Sequence, residues 1–82
     1  HIVHSTHSYV AAQQSRAILG RYGVDINNAA NGVWVTKSQN SQFNSHKYMD
    51  KVFQELRVAT NQAEVLEILD DIRRRVEVGA FP

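Results

Sequence analysis

The chain has 82 residues, 43% hydrophobic and 21% charged, with a net charge of +1 and no cysteine. That length allows a single domain, residues 1–82, burying about 60 to 65% of the surface its unfolded form exposes. The composition excludes a disordered chain, a disulfide framework and a thiolate zinc site, and no run of about 18 apolar residues exists to span a bilayer, so no membrane partner is expected.

Residues 1–5 are too short for periodicity to classify, but Ile2 and Val3 favour a brief strand. From Tyr9 to Tyr22, apolar residues at 10, 11, 17, 18 and 22 form a helical stripe, and Gly23 stands where a left-handed C-terminal cap would fall. The stretch VDINNAANG is dense in asparagine and closes on Asn-Gly, a strong turn signal, after which GVWVTK reads as a second strand. A polar loop then leads to HKYMDKVFQELRVA, which aligns Tyr48, Val52, Leu56 and Ala59 on one helical face. The last helix begins with a capping box, Asn61 with Glu64, carries a stripe at Val65, Ile68, Leu69, Ile72 and Val76, and ends at Gly79.

Charge is uneven along this order. Residues 1–48 hold Arg16, Arg21, Lys37 and Lys47 against Asp25 alone and sum to +3, whereas residues 49–82 sum to −2. The pattern suits a half that faces a polyanion on an acidic scaffold, and it suits ordinary solvated surface equally well. The run Arg73, Arg74, Arg75 could touch phosphate, but Asp70 and Asp71 lie four residues before Arg74 and Arg75 and can pair with them along the helix, so it is read as scaffold. The chain opens on His1 and carries no charged-then-apolar leader, and the expectation is a C-terminal fragment of a longer protein.

Several residues carry chemistry on their own terms. Asn31 before Gly32 suits plain turn chemistry, Asn44 can cap the helix that follows, and His46 falls in that helix's first, solvent-facing turn. On a strand His1 and His4 would point to opposite faces, which argues against their sharing a ligand. Trp34 and Tyr48 are read as core side chains rather than as platforms for stacked bases.

Together, HIV, SRAILGRYGVDINNAANGV and NSHKYMDKV resemble the AHH nucleases of the HNH and endonuclease VII superfamily over roughly residues 1–56. The most specific piece is G-V-D-I-N…N-G-V followed by S-x-x-Y-x-x-x-V. The resemblance implies an α+β fold: a small, mostly helical ββα-metal arrangement with one helix inserted between two short strands and a C-terminal scaffold helix. It matches His1 to the second histidine of the family's Ala-His-His-Ile-Val motif, with the first histidine ahead of it.

In that likeness His1 is the general base, a neutral imidazole taking a proton from the attacking water, and Asn31 braces the loop that holds it. Asn40, nine residues after Asn31, and Asn44, four further on, stand where the family carries metal-side residues, usually histidine; the nearest imidazole is His46. Amide oxygens favour magnesium or manganese, while an inward His46 would bring zinc or nickel into range. The cofactor implied is thus a divalent metal ion, with no small-molecule cofactor.

The function implied is a metal-dependent endonuclease cutting DNA, with RNA as the other candidate substrate. The implied setting is a toxin secreted by one bacterium, acting in the cytoplasm of a competitor and neutralised by a cognate, acidic immunity protein. Two other readings stand beside it: a catalytically inactive module of the same fold that binds nucleic acid or a partner, and a purely structural helical adaptor.

Overall fold

In the computed structural model, which describes residues 1–33 and 45–81, three α-helices and one 3₁₀ turn make up the regular structure. Helix α1 spans Val10–Arg21, the 3₁₀ turn Ala29–Asn31, helix α2 His46–Leu56 and helix α3 Gln62–Glu77.

The helix ends follow from the residues that frame them. At the end of α1 the N–H of Gly23 donates to the Gly20 carbonyl (3.2 Å) and that of Val24 to the Leu19 carbonyl (2.8 Å), a Schellman closure that needs a left-handed residue at Gly23, where φ is +71°. The same closure ends α3, with Gly79 at φ +74° donating to Val76 and Ala80 donating to Arg75. Helix α2 is capped by Ser45, whose hydroxyl accepts from the Tyr48 N–H (3.1 Å); the cap is thus the residue after Asn44. Asn61 caps α3 through the Glu64 N–H (2.9 Å), while the Glu64 carboxylate reaches back to the Thr60 N–H (2.6 Å), one residue further upstream than a standard capping box.

Helix α2 packs against both α1 and α3. Tyr9 meets His46 and Asp50 at the start of α2, and the Tyr22 hydroxyl donates to the Ala59 carbonyl (3.1 Å) beyond its end, so α1 and α2 run side by side in the same direction. Between the helices lie Leu19, Tyr48, Val52, Leu56, Val65, Leu69 and Ile72, all essentially inaccessible to solvent. Complete burial of such aliphatic side chains contributes about 1.5–3 kcal/mol each. Helix α1 buries Ala11, Ala12, Ser15, Ile18 and Leu19, while Val10, part of the predicted stripe, is exposed.

The expected α+β fold is corrected: among the described residues the chain is all-helical and has no strand. The expected strand at Ile2 and Val3 is instead a buried segment whose backbone groups are satisfied individually. The Ile2 N–H donates to the Asn31 carbonyl (2.7 Å), the Ile2 carbonyl accepts from the Tyr48 hydroxyl (2.8 Å), and both backbone groups of Val3 bond to the Asn31 side chain. With these groups paired, this segment needs no ladder partner. The turn expected at Asn31-Gly32 takes the form of the 3₁₀ turn, with the Gly32 N–H donating to the Ala29 carbonyl (3.0 Å) and Gly32 itself extended (φ −90°, ψ 148°). Of the predicted second strand, all beyond Val33 lies outside the described residues, as does Trp34.

Candidate active site

The loop between α1 and the 3₁₀ turn is built from side chains that cap backbone. Asp25 accepts from the Asn27 N–H (2.7 Å), and Asn28 accepts from the Ala30 N–H (2.9 Å) and so starts the 3₁₀ turn. These links carry Asn31 inward until it is fully buried. There its Oδ1 accepts from the Val3 N–H (2.8 Å), and its Nδ2 donates to the carbonyls of Val3 (3.2 Å) and Ile26 (2.8 Å). A carboxamide, with an acceptor on one side and two donors on the other, is the uncharged side-chain type that can do this.

Tyr48 completes the seat. Its ring is buried, edge-on to Phe81 at 5.4 Å and to His4 at 6.4 Å, while its hydroxyl holds the Ile2 carbonyl. Burial pushes the phenol well above its ordinary pKa and keeps it a neutral donor. The two residues after His1 are thereby fixed from three directions, and His1 itself is exposed. It borders an open depression of about 630 Å³ shared with Ala29, Gly32, Val33, Arg73 and Glu77. Arg73 pairs there with Asp70 and, at 3.7 Å, with Glu77.

Arg73 and Glu77 are neighbours of this site that sequence reasoning missed. The signal available was their spacing of four on one face of α3, which says that they are adjacent but not what they border. The ion-paired reading of the arginine run holds: Arg74 bonds to Asp70, and Arg75 to Glu55 and Asp71.

His46 is engaged elsewhere. Its ring lies flat on Tyr9, 3.8 Å between centroids and 6° between planes, and the Tyr9 hydroxyl donates to Asp50 (3.0 Å). That bond to the carboxylate raises the Tyr9 pKa. His4 and His7 face each other with ring centroids 5.5 Å apart, and the Arg16 guanidinium donates to the carbonyls of both (2.9 and 2.8 Å). His7 Nδ1 accepts from the Tyr9 N–H (3.1 Å), which places the proton of the neutral ring on Nε2.

Asn40 and Asn44, the other expected metal-side residues, lie outside the described residues. Among the described residues no three histidine, cysteine, aspartate or glutamate side chains meet closely enough to hold a metal ion. These donors alone therefore do not fit a divalent ion. What the geometry brings together is His1, on a rigidly held backbone at an open depression, and Asn31, which holds that backbone.

This arrangement has a family. Residues 1–76 match the family model of AHH, a nuclease family of the HNH/ENDO VII superfamily with conserved AHH. The chain belongs to that family. No curated protein and no solved structure gives a match.

Proposed function

We propose that this domain is an endonuclease that hydrolyses DNA phosphodiester bonds, with His1 as general base. The exposed imidazole, in its neutral form, takes a proton from water while the water oxygen bonds to phosphorus and the bond from phosphorus to the leaving sugar oxygen breaks. Asn31 is the positioning residue, because its amide fixes the backbone of Val3 and its carbonyl that of Ile2, immediately after the base. That clasp is the observation that carries the reading: a buried amide with three hydrogen bonds to backbone holds in place a short segment whose preceding side chain is a solvent-facing imidazole.

A divalent ion belongs to the same reading and would supply charge neutralisation at the phosphate. Its donors are assigned to Asn40, Asn44 and His46. Stacking on Tyr9 covers a face of the His46 ring, whereas ligation uses lone pairs in the ring plane, so the stack does not consume them. Carboxamide oxygens favour magnesium or manganese. The biological setting proposed is a toxin module that one bacterium secretes as part of a larger protein, acting in the target-cell cytoplasm and held in check by a cognate immunity protein.

The test is plasmid nicking by the chain with Ala-His placed ahead of His1, in magnesium, manganese, nickel and zinc, beside its His1→Ala variant. Nicking abolished by His1→Ala supports the assignment. Nicking that survives the substitution removes His1 as the base, and no nicking in any metal favours the catalytically inactive binding module.

A further inference from the structure

All eight carboxylate side chains of the chain lie among the described residues, and their ion pairs concentrate on α3 and the facing side of α2. Asp70, Asp71, Glu77 and Glu55 between them neutralise Arg73, Arg74, Arg75 and Lys51. Three arginines stand apart from this network, and of these Arg16 is held by the carbonyls of His4 and His7. Arg21 ends α1 and Arg57 caps α2; both are exposed, and among the described residues neither side chain has an ion-pair or hydrogen-bond partner. Because α1 and α2 run in the same direction, their ends bring these two guanidinium groups to one place.

There they border a single open depression of about 310 Å³ between the helices. Its α1 side is Gln14, Ala17, Ile18 and Arg21, its α2 side Phe53 and Arg57. The floor is apolar: Ile18 is buried and Phe53 half-buried. Its charged groups are both cations, and Gln14 adds a neutral donor. Each helix macrodipole also favours a cation at its end, which accounts for one arginine on each helix but not for a common cleft that they share with an amide and contains no carboxylate.

We infer that the α1–α2 cleft is a phosphate subsite for the nucleic-acid backbone, with Arg21 and Arg57 as its two ligands and Gln14 beside them. The inference rests on the proposed reading of a nucleic-acid substrate and adds to it a holding site separate from His1. Paired guanidinium groups are suited to phosphate because each offers a planar fork of donors to two oxygens. Such contacts fix the position of the duplex without reading its sequence. The paired cations also show how a domain of net charge +1 can attract a polyanion locally: four of its eight carboxylates, Glu55, Asp70, Asp71 and Glu77, are held in ion pairs on α2 and α3, and none of the residues lining the cleft is acidic.

The test measures duplex binding in chelator, where cleavage is silent, as a function of salt. The full chain is compared with Arg21→Gln, Arg57→Gln, the double variant and Arg74→Gln, using a duplex oligonucleotide of about 20 base pairs. The expected result is a log–log salt slope reduced by about 0.9 in each single variant and about twice that in the double variant, with Arg74→Gln unchanged. Slopes equal to the parent's, accompanied by a lower Tm, would overturn the subsite and leave the two arginines as helix-end charges. An Arg74→Gln effect as large as the others would overturn it as well, because the attraction would then be general. Nicking is read on the same variants and on His1→Ala: failure of nicking with the slope changes intact counts against the catalytic reading alone, and intact nicking with unchanged slopes counts against the subsite alone.

Discussion

The side-chain amide of Asn31 bonds to both backbone polar groups of Val3, 28 positions away in the chain, and so occupies the place a neighbouring strand would take. Losing it leaves the Val3 N–H and carbonyl buried without their amide partner and the part-buried Ile26 carbonyl without its own. Asn31→Ala is expected to cost about 3 kcal/mol, measured by urea denaturation. Asn31→Asp, nearly the same shape, is expected to cost at least as much, because it turns a carboxylate oxygen toward two carbonyls. An aspartate variant as stable as the parent would show that the amide nitrogen contributes nothing.

Glycine substitutions three residues apart are expected to differ in sign. Gly20 is exposed in α1 and an added methyl meets nothing within 4 Å, so Gly20→Ala should raise stability by about 0.5–1 kcal/mol. Gly23 sits at φ +71°, where a side chain is strained by about 1–2 kcal/mol, so Gly23→Ala should lower it. Thermal melts of the two variants against the parent decide the matter.

The Ser15 hydroxyl is buried in α1 and has no hydrogen-bond partner among the described residues. It borders a void of about 10 Å³ lined also by Ile2, Val3 and Tyr48. An unpartnered hydroxyl is worse than none, and alanine is the better helix former. Ser15→Ala is therefore expected to stabilise the fold by about 1 kcal/mol in urea titration. A loss of stability would mean that the hydroxyl is satisfied in solution.

Acid should weaken the fold through two carboxylates. Hydrogen bonds from Thr60 hold Glu64 below its ordinary value of 4.5, and Arg74 first, then Arg73, hold Asp70 below 3.8. The unfolded chain thus binds more protons than the folded one in this range, so their stabilisation is complete above about pH 5 and is lost as pH falls through the lowered native values. Tm measured from pH 7 to pH 3 should drop less in the Glu64→Gln, Asp70→Asn double variant than in the parent.

Helix ends and apolar faces were legible because they are local. Gly23 and Gly79 mark two closures, Asn61 marks a cap, and the stripe on α3 from Val65 to Val76 faces inward as its spacing requires. The true form of the expected first strand was not legible, for the opposite reason. Ile2 and Val3 look like strand residues by side chain, but their backbone partners are an amide at position 31 and a phenol at position 48, which no local pattern encodes. The α1 stripe was misplaced by one position because Val10 is apolar and outward-facing, while Ser15 is polar and buried. At the site, the resemblance to the AHH nucleases implied a brace at Asn31, yet Arg73 and Glu77 came to His1 only through the packing of α3 against the 3₁₀ turn.

Phe81 lies five residues past the end of the family match, yet it is buried against the Tyr48 ring with the Arg75 guanidinium over its own face at 5.0 Å. Since Tyr48 also grips Ile2, the tail and the opening segment share a single anchor. Trimming the chain where the family resemblance stops would thus slacken the footing of a histidine eighty positions earlier. Any tag or fusion at the far end needs to leave that phenylalanine in its seat.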